Sequence, residues 1–230
     1  MVNNKEANMN KQKILTADDC AAIEARITAL ETKTSGEVVV AVAERSSYYR
    51  SSALLLAVIA AGMLTPLCTV PTASFLQGLG LWASPAQLQT IVYVPVFFIL
   101  LAAFRWLVGR MPFLLNVIVS DRKKQDKVSE RAQQVFFGHR LFDTAGKTGV
   151  LIYLSRFERS VHILADAGIY AKLGQDELQA MVDKVVAGVR SRSAAQGILA
   201  VLDKLEPMLA EGFPKPDKNP DELPNAVIFC

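Results

Sequence analysis

Four carboxylates, Glu37, Asp143, Asp166 and Asp176, stand at positions from which oxygen donors could converge on a hard cation such as calcium. Asp166 is central to that expectation. It follows the run Ser160-Val161-His162-Ile163-Leu164-Ala165, where a strand ends and a helix approaches, the usual place for a ligand in an α/β sheet. The simpler expectation is that its carboxylate caps the turn by accepting from the amides of Gly168 and Ile169. His162 alternates with Val161 and Ile163, so its side chain points to the opposite face of the strand, as a satisfied structural histidine would. His139, between Gly138 and Arg140 near a helix end, suits a favourable charge at the helix dipole. Cys20, Cys68 and Cys230 are far apart, odd in number and without metal-ligand spacing, so no disulfide framework is implied. The chain has no Gly-rich phosphate loop, paired histidines, nucleophile elbow, Cys-X-X-Cys or Asp-X-Asp-X motif, and no catalytic residue is identifiable.

The elements that must position these residues read as α/β. Thr16 is the expected N-cap of a first helix, with Asp19 in the capping-box position and Cys20, Ile23, Ile27 and Leu30 on one stripe. Thr34-Ser35-Gly36 ends it, and Glu37 to Glu44 reads as a strand buried on both faces. A helix is expected from about Lys124 to Leu141, then a turn from Asp143 to Thr148. Two strands follow, Gly149–Ser155 and Ser160–Ala165. The intervening residues are too few for a parallel crossover, so the strands pair antiparallel. Helices are expected from Asp176 to Arg190 and from Ala194 to Leu209, with Gly188 and Gly197 marking close packing or a break between them. The tail from Pro214 is Pro- and Asp-rich and reads as mobile, and its final Ala226-Val227-Ile228-Phe229 has no evident purpose.

From Ser51 to Phe104 there is no Asp, Glu, Lys, Arg or His. A window of roughly 50 uncharged residues holds two bilayer crossings, since each needs about 20. The first begins at Ala53 and fades by Val70; the second runs from about Leu88 to Val108, with Pro71, Gly78, Gly80, Ser84 and Pro85 as turn chemistry between them. Arg45 and Arg50 precede the pair, and Arg105, Arg110, Arg122, Lys123 and Lys124 follow it, whereas the connecting loop has no Lys or Arg. The positive-inside rule then keeps both ends cytoplasmic and the loop outside. Trp82 and Trp106 suit the two interfaces, and Met111 to Ser120 reads equally as an interfacial helix or a short strand. Met1 to Gln12 is polar and lacks the apolar core of a signal peptide. The net charge of +3 is mild and mostly juxtamembrane, which points to lipid headgroups and away from nucleic acid. The expected organisation is a split cytoplasmic domain at 13–50 and 120–213, a transmembrane hairpin at 53–109 and a tail at 214–230.

Three segments together resemble the TPM domain family, named after a thylakoid lumen protein, a photosystem II repair protein and a modulator of a neuronal receptor. They are Leu15 to Asp18 and its helix leading into Thr34-Ser35-Gly36-Glu37-Val38-Val39-Val40; Thr148 to Ser155 with Glu158 to Ile169; and the closing helices around Gly188 and Gly197. The chain is similar in particular to a bacterial membrane-protein branch in which a hairpin interrupts the domain and an Asn/Asp-Glu-Leu-Pro tail follows, here Asp221-Glu222-Leu223-Pro224. The resemblance implies a mixed sheet flanked by helices, a TPM-like sandwich interrupted by the hairpin in a bacterial inner membrane. It also implies a module that assists or assembles other membrane proteins, with divalent-metal-dependent acid phosphatase as the alternative. The family's usual Gly-aromatic-Gly-Leu-Glu reads Asp166-Ala167-Gly168-Ile169-Tyr170 here, so an acid replaces the first glycine and the Glu is absent.

Overall fold

The computed structural model describes residues 15–80, 84–111, 119–144, 146–190, 193–215 and 225–230. Its elements are α1 (Ala17–Glu31), β1 (Glu37–Ala43), α2 (Arg50–Gly78), α3 (Pro85–Arg110), α4 (Asp121–Gly138), β2 (Gly149–Ser155), β3 (Ser160–Ala165), α5 (Ala167–Arg190), α6 (Ala194–Gly212) and β4 (Ile228–Phe229). Met1 to Gln12, Trp82, residues 112–118 of the ambiguous segment, Ala145 of the turn and the Asp221–Pro224 motif lie outside the described residues. The chain divides into two compact units, the second being Tyr48–Asp121 and the first the residues on either side of it.

The first unit is a four-stranded mixed sheet in the order β3-β2-β1-β4. β1 and β2 are parallel over their full length, Glu37 opposite Gly149 and Ala43 opposite Ser155, and every residue of both is buried. A strand covered on both faces has no polar side to show, which is why both read as continuous apolar runs. β3 runs antiparallel to β2, and β4 runs parallel to β1 on its other side. Val38, Val40, Ile152 and Leu154 meet Ile23, Ile27 and Leu30 of α1 and the apolar stripes of α5 and α6 in one core. Val39, Ala41, Leu151 and Tyr153 meet Val128, Ala132, Val135 and Phe136 of α4 in the other.

Local signals account for the element ends. The Thr16 hydroxyl accepts from the Asp19 amide at 3.1 Å, and the Asp19 carboxylate accepts from the Thr16 amide at 2.8 Å, closing the capping box that starts α1. Gly174, at φ 71°, splits α5 into a short first segment and the longer helix, so helix begins at Ala167 as well as beyond Gly174. Gly188 and Gly197 mark close packing: a Cβ on Gly188 would lie 2.7 Å from the Gly197 Cα. Ala226 to Phe229, purposeless in the sequence, lead into and form β4, and the Cys230 amide continues the ladder to the Val42 carbonyl at 3.0 Å.

The second unit is the helix pair α2 and α3, both long and apolar enough to cross a membrane. α2 continues through Pro71, which the sequence placed in the connecting turn; the described turn comprises Leu79, Gly80 and Ser84. A proline costs a helix one hydrogen bond, and hydroxyls add bonds of their own to other helix carbonyls in this stretch. Thr69 donates to the Pro66 carbonyl at 3.1 Å and Thr72 to the Cys68 carbonyl at 2.9 Å. Ser84 caps α3 through its own box with Gln87, and Pro85 takes the first helical position. The face of α2 that is buried repeats every four residues as Ala53, Ala57, Ala61, Thr65, Thr69 and Ala73. Small side chains at that spacing let two helix backbones approach closely.

Candidate functional site

Because β3 is antiparallel, its carboxyl end falls beside the amino ends of β1 and β2. Asp166 there donates its amide to the Gly149 carbonyl at 2.9 Å, in register with Glu37. Its carbonyl accepts from the Tyr170 amide at 2.9 Å, the first bond of α5, but its Oδ1 accepts from the Ala167 amide at 2.6 Å and not from the expected amides of Gly168 and Ile169. The turn carrying Asp143 closes over the same end. The Thr148 amide donates to Thr144 Oγ1 at 2.9 Å, and a Cβ on Gly168 would lie 2.7 Å from the Lys147 carbonyl. Glu37, Asp166 and the Asp143 turn therefore share one end of the sheet, with Glu37 buried and Asp143 exposed. Asp176 is exposed on α5 beyond Gly174, and no hydrogen bond or ion pair joins it to the other three among the described residues. No group of three or more His, Cys, Asp or Glu is placed to hold a metal ion among those residues.

The carboxyl ends of the parallel strands, the customary ligand position, hold a different cluster that the sequence did not flag. Glu158, 8% exposed, accepts from the Ser46 amide with both oxygens at 3.1 and 3.2 Å and from the Ser155 hydroxyl. Ser46 Oγ also pairs with the Tyr153 hydroxyl at 3.1 Å. Burial pushes the Tyr153 phenol up to about 12, so it stays protonated as a hydrogen-bonding group. The Phe157 amide donates to the Glu44 carbonyl at 2.9 Å, and the Arg45 guanidinium lies 5.7 Å from the Phe157 ring centre. Together these contacts hold the segment that leaves β1 toward α2 against the β2–β3 turn. Among the described residues these groups satisfy one another. The one sequence signal was an acid three residues after Ser155.

The third place is a groove of about 500 Å³ along β3, between α4 and α5. Gln125, Asp126 and Ser129 form one wall, Gln179, Asp183 and Val186 the other, with Val161 and His162 between them and Arg159 also lining it. His162 faces α4, as its alternation with Val161 predicted, and its Nε2 lies 3.5 Å from Ser129 Oγ. Burial lowers its pKa, so the ring is neutral near pH 7. A serine beside a neutral imidazole suggests a nucleophile and base. Ser129, however, lies inside α4, where helical bonds occupy the backbone amides that would otherwise stabilise an oxyanion. The groove presents two exposed carboxylates, side-chain amides, a hydroxyl, a guanidinium and a neutral imidazole around a sheet edge.

A family model described as TPM domain matches residues 114–207. The NMR structure of the BA42 protein from the psychrophilic bacterium Bizionia argentinensis is similar at a TM-score of 0.55 and 19% identity, over 94% of this chain and 95% of that one. At that identity the likeness speaks to the α/β fold. No curated protein matches the sequence.

Proposed function

We propose, from the TPM domain match that residues 114–207 carry, that this protein is a membrane-anchored interaction module that assists or assembles other membrane proteins. The observation that carries the reading is the point of insertion. α2 and α3 are spliced between β1 and β2, strands that pair along their whole length, so one sheet is built from chain on both sides of the helix pair. The Glu158 clamp on Ser46 shortens the free link further. Away from the small-residue stripe, the helix surfaces carry Leu55, Ile59, Met63, Leu67, Ile91 and Phe98 exposed, a display suited to lipid and costly in water. In this reading the basic residues flanking the helices hold the domain on the cytoplasmic side of a bacterial inner membrane.

The test is capture of the full chain in a mild detergent after crosslinking in membranes. Specific membrane proteins should return reproducibly, and recovery of the protein alone across conditions would sink the reading. The acid phosphatase alternative is separated by assaying the same preparation with p-nitrophenyl phosphate, with and without calcium, magnesium and manganese. We expect no turnover; metal-dependent hydrolysis above a matched blank would put the enzyme reading first.

A further inference from the structure

Among the described residues β3 ends the sheet, and its pairing fixes which backbone groups look outward. Asp166 donates to Gly149, so that residue pair is a hydrogen-bonded one. Alternation along an antiparallel ladder then gives Ser160, His162 and Leu164 to β2 and turns the N–H and C=O groups of Val161, Ile163 and Ala165 to the open edge. Such a row is a template for another strand. Edges are commonly blunted by lysine, proline or a bulge, and the sequence Ser160 to Ala165 has neither residue, while its register with β2 runs without a bulge. The groove opens over the Val161–His162 part of this edge.

Charge selects the occupant. Asp126 on α4 and Asp183 on α5 flank the edge from opposite sides, both exposed. No ion pair engages either among the described residues, and the Asp183 carboxylate accepts only the Gln179 amide at 3.1 Å. Arg159 is the one cationic side chain of the lining among the described residues, and His162 is neutral. A second copy of this chain pairing edge to edge would bring acidic walls against acidic walls. We propose that the β3 groove receives a short extended segment of a partner protein that carries Lys or Arg, adding to the sheet through the Val161 N–H and C=O groups and setting its cation between Asp126 and Asp183. The inference rests on the interaction reading above and names its surface.

The experiment uses the full chain in detergent micelles and a fluorescein-labelled peptide, Val-Lys-Val-Lys-Val, titrated by anisotropy. Its comparators are Val-Glu-Val-Glu-Val and the basic peptide N-methylated on alternate amides. The basic peptide should bind saturably, and the acidic and N-methylated forms at least tenfold more weakly. Exchange of the Val161 amide should slow only when the basic peptide is present. The double variant Asp126→Lys, Asp183→Lys changes two exposed side chains and should reverse the charge preference with the far-UV spectrum unchanged. Equal binding of basic and acidic peptides, undiminished binding of the N-methylated form, or no saturable binding would overturn the proposal. So would a dimer of the chain that the double variant alters. Capture of membrane partners that survives the double variant would leave the interaction reading standing while this surface falls; peptide binding without captured partners would do the reverse.

Discussion

Asp166 spends one carboxylate oxygen on the Ala167 amide and keeps the other, Oδ2, buried without a hydrogen-bond partner among the described residues. A cap of that kind is worth little more than its single bond, so Asp166→Ala should lower stability by about 1 kcal/mol and Asp166→Asn by less. Added calcium should leave the melting temperature of the full chain in detergent unchanged, whereas a rise that vanishes in Asp166→Asn would make Asp166 a ligand. His162 gives the clearest pH forecast. Its folded pKa lies below the ordinary 6.5, so the unfolded chain takes up the proton first as pH falls. Its contribution is complete above about pH 6.5 and is lost as pH drops through the lower folded value. Melting curves between pH 7.5 and 5 should fall less steeply for His162→Gln than for the native chain, and parallel curves would remove His162 from the account. Composition and alternation made both residues legible. The Glu158 clamp was not, because Ser46 and Glu158 are 112 residues apart and only the parallel pairing of β1 with β2 brings them together. The rule that ligands gather at strand carboxyl ends was applied to β3, whose direction sends Asp166 to the opposite end of the parallel pair.

At the scale of elements, what the sequence read well had contrast in it, and what it missed had none. The buried strands, the capping box of α1 and the β2–β3 hairpin stand out as apolar runs between turn residues. The pairing face of α2 does not, because Ala57 and Ala61 among leucines look no different whether they meet lipid or another helix. Both are fully buried, so a leucine there has no space to occupy. Ala61→Leu should force α2 from α3 and destabilise the pair by about 1–3 kcal/mol, while Ala61→Ser should be tolerated. Proteolysis of the two variants in detergent, followed by fragment size, checks the difference. Gly188 repeats the logic in the other unit: with the Gly197 backbone closer than a Cβ permits, Gly188→Ala should loosen α5 from α6 more than Gly174→Ala harms α5, where the added methyl meets only open space but must accept φ 71°. β4 escaped because two residues carry no period.

For the whole molecule the consequential feature is that an uninterrupted sheet is built from chain on both sides of a long apolar insertion. β1 and β2 can pair only if both flanks of the insertion emerge on one side of a bilayer, which requires an even number of crossings. Two helices of 29 and 26 residues satisfy that count, and each exceeds the roughly 20 residues that span the hydrocarbon core. In the membrane-anchored reading proposed above, sheet pairing asks only for an even number of crossings, and the one-sided Arg and Lys supply the orientation. Alkaline phosphatase is active only where disulfides form, outside the cytoplasm. Fused after Gly78, at the end of α2, it should be active; fused after Phe213, beyond α6, it should be inactive. The opposite pattern would place the sheet outside and overturn the charge argument. Activity at both sites would mean that α3 does not cross, which would overturn the two-crossing hairpin itself.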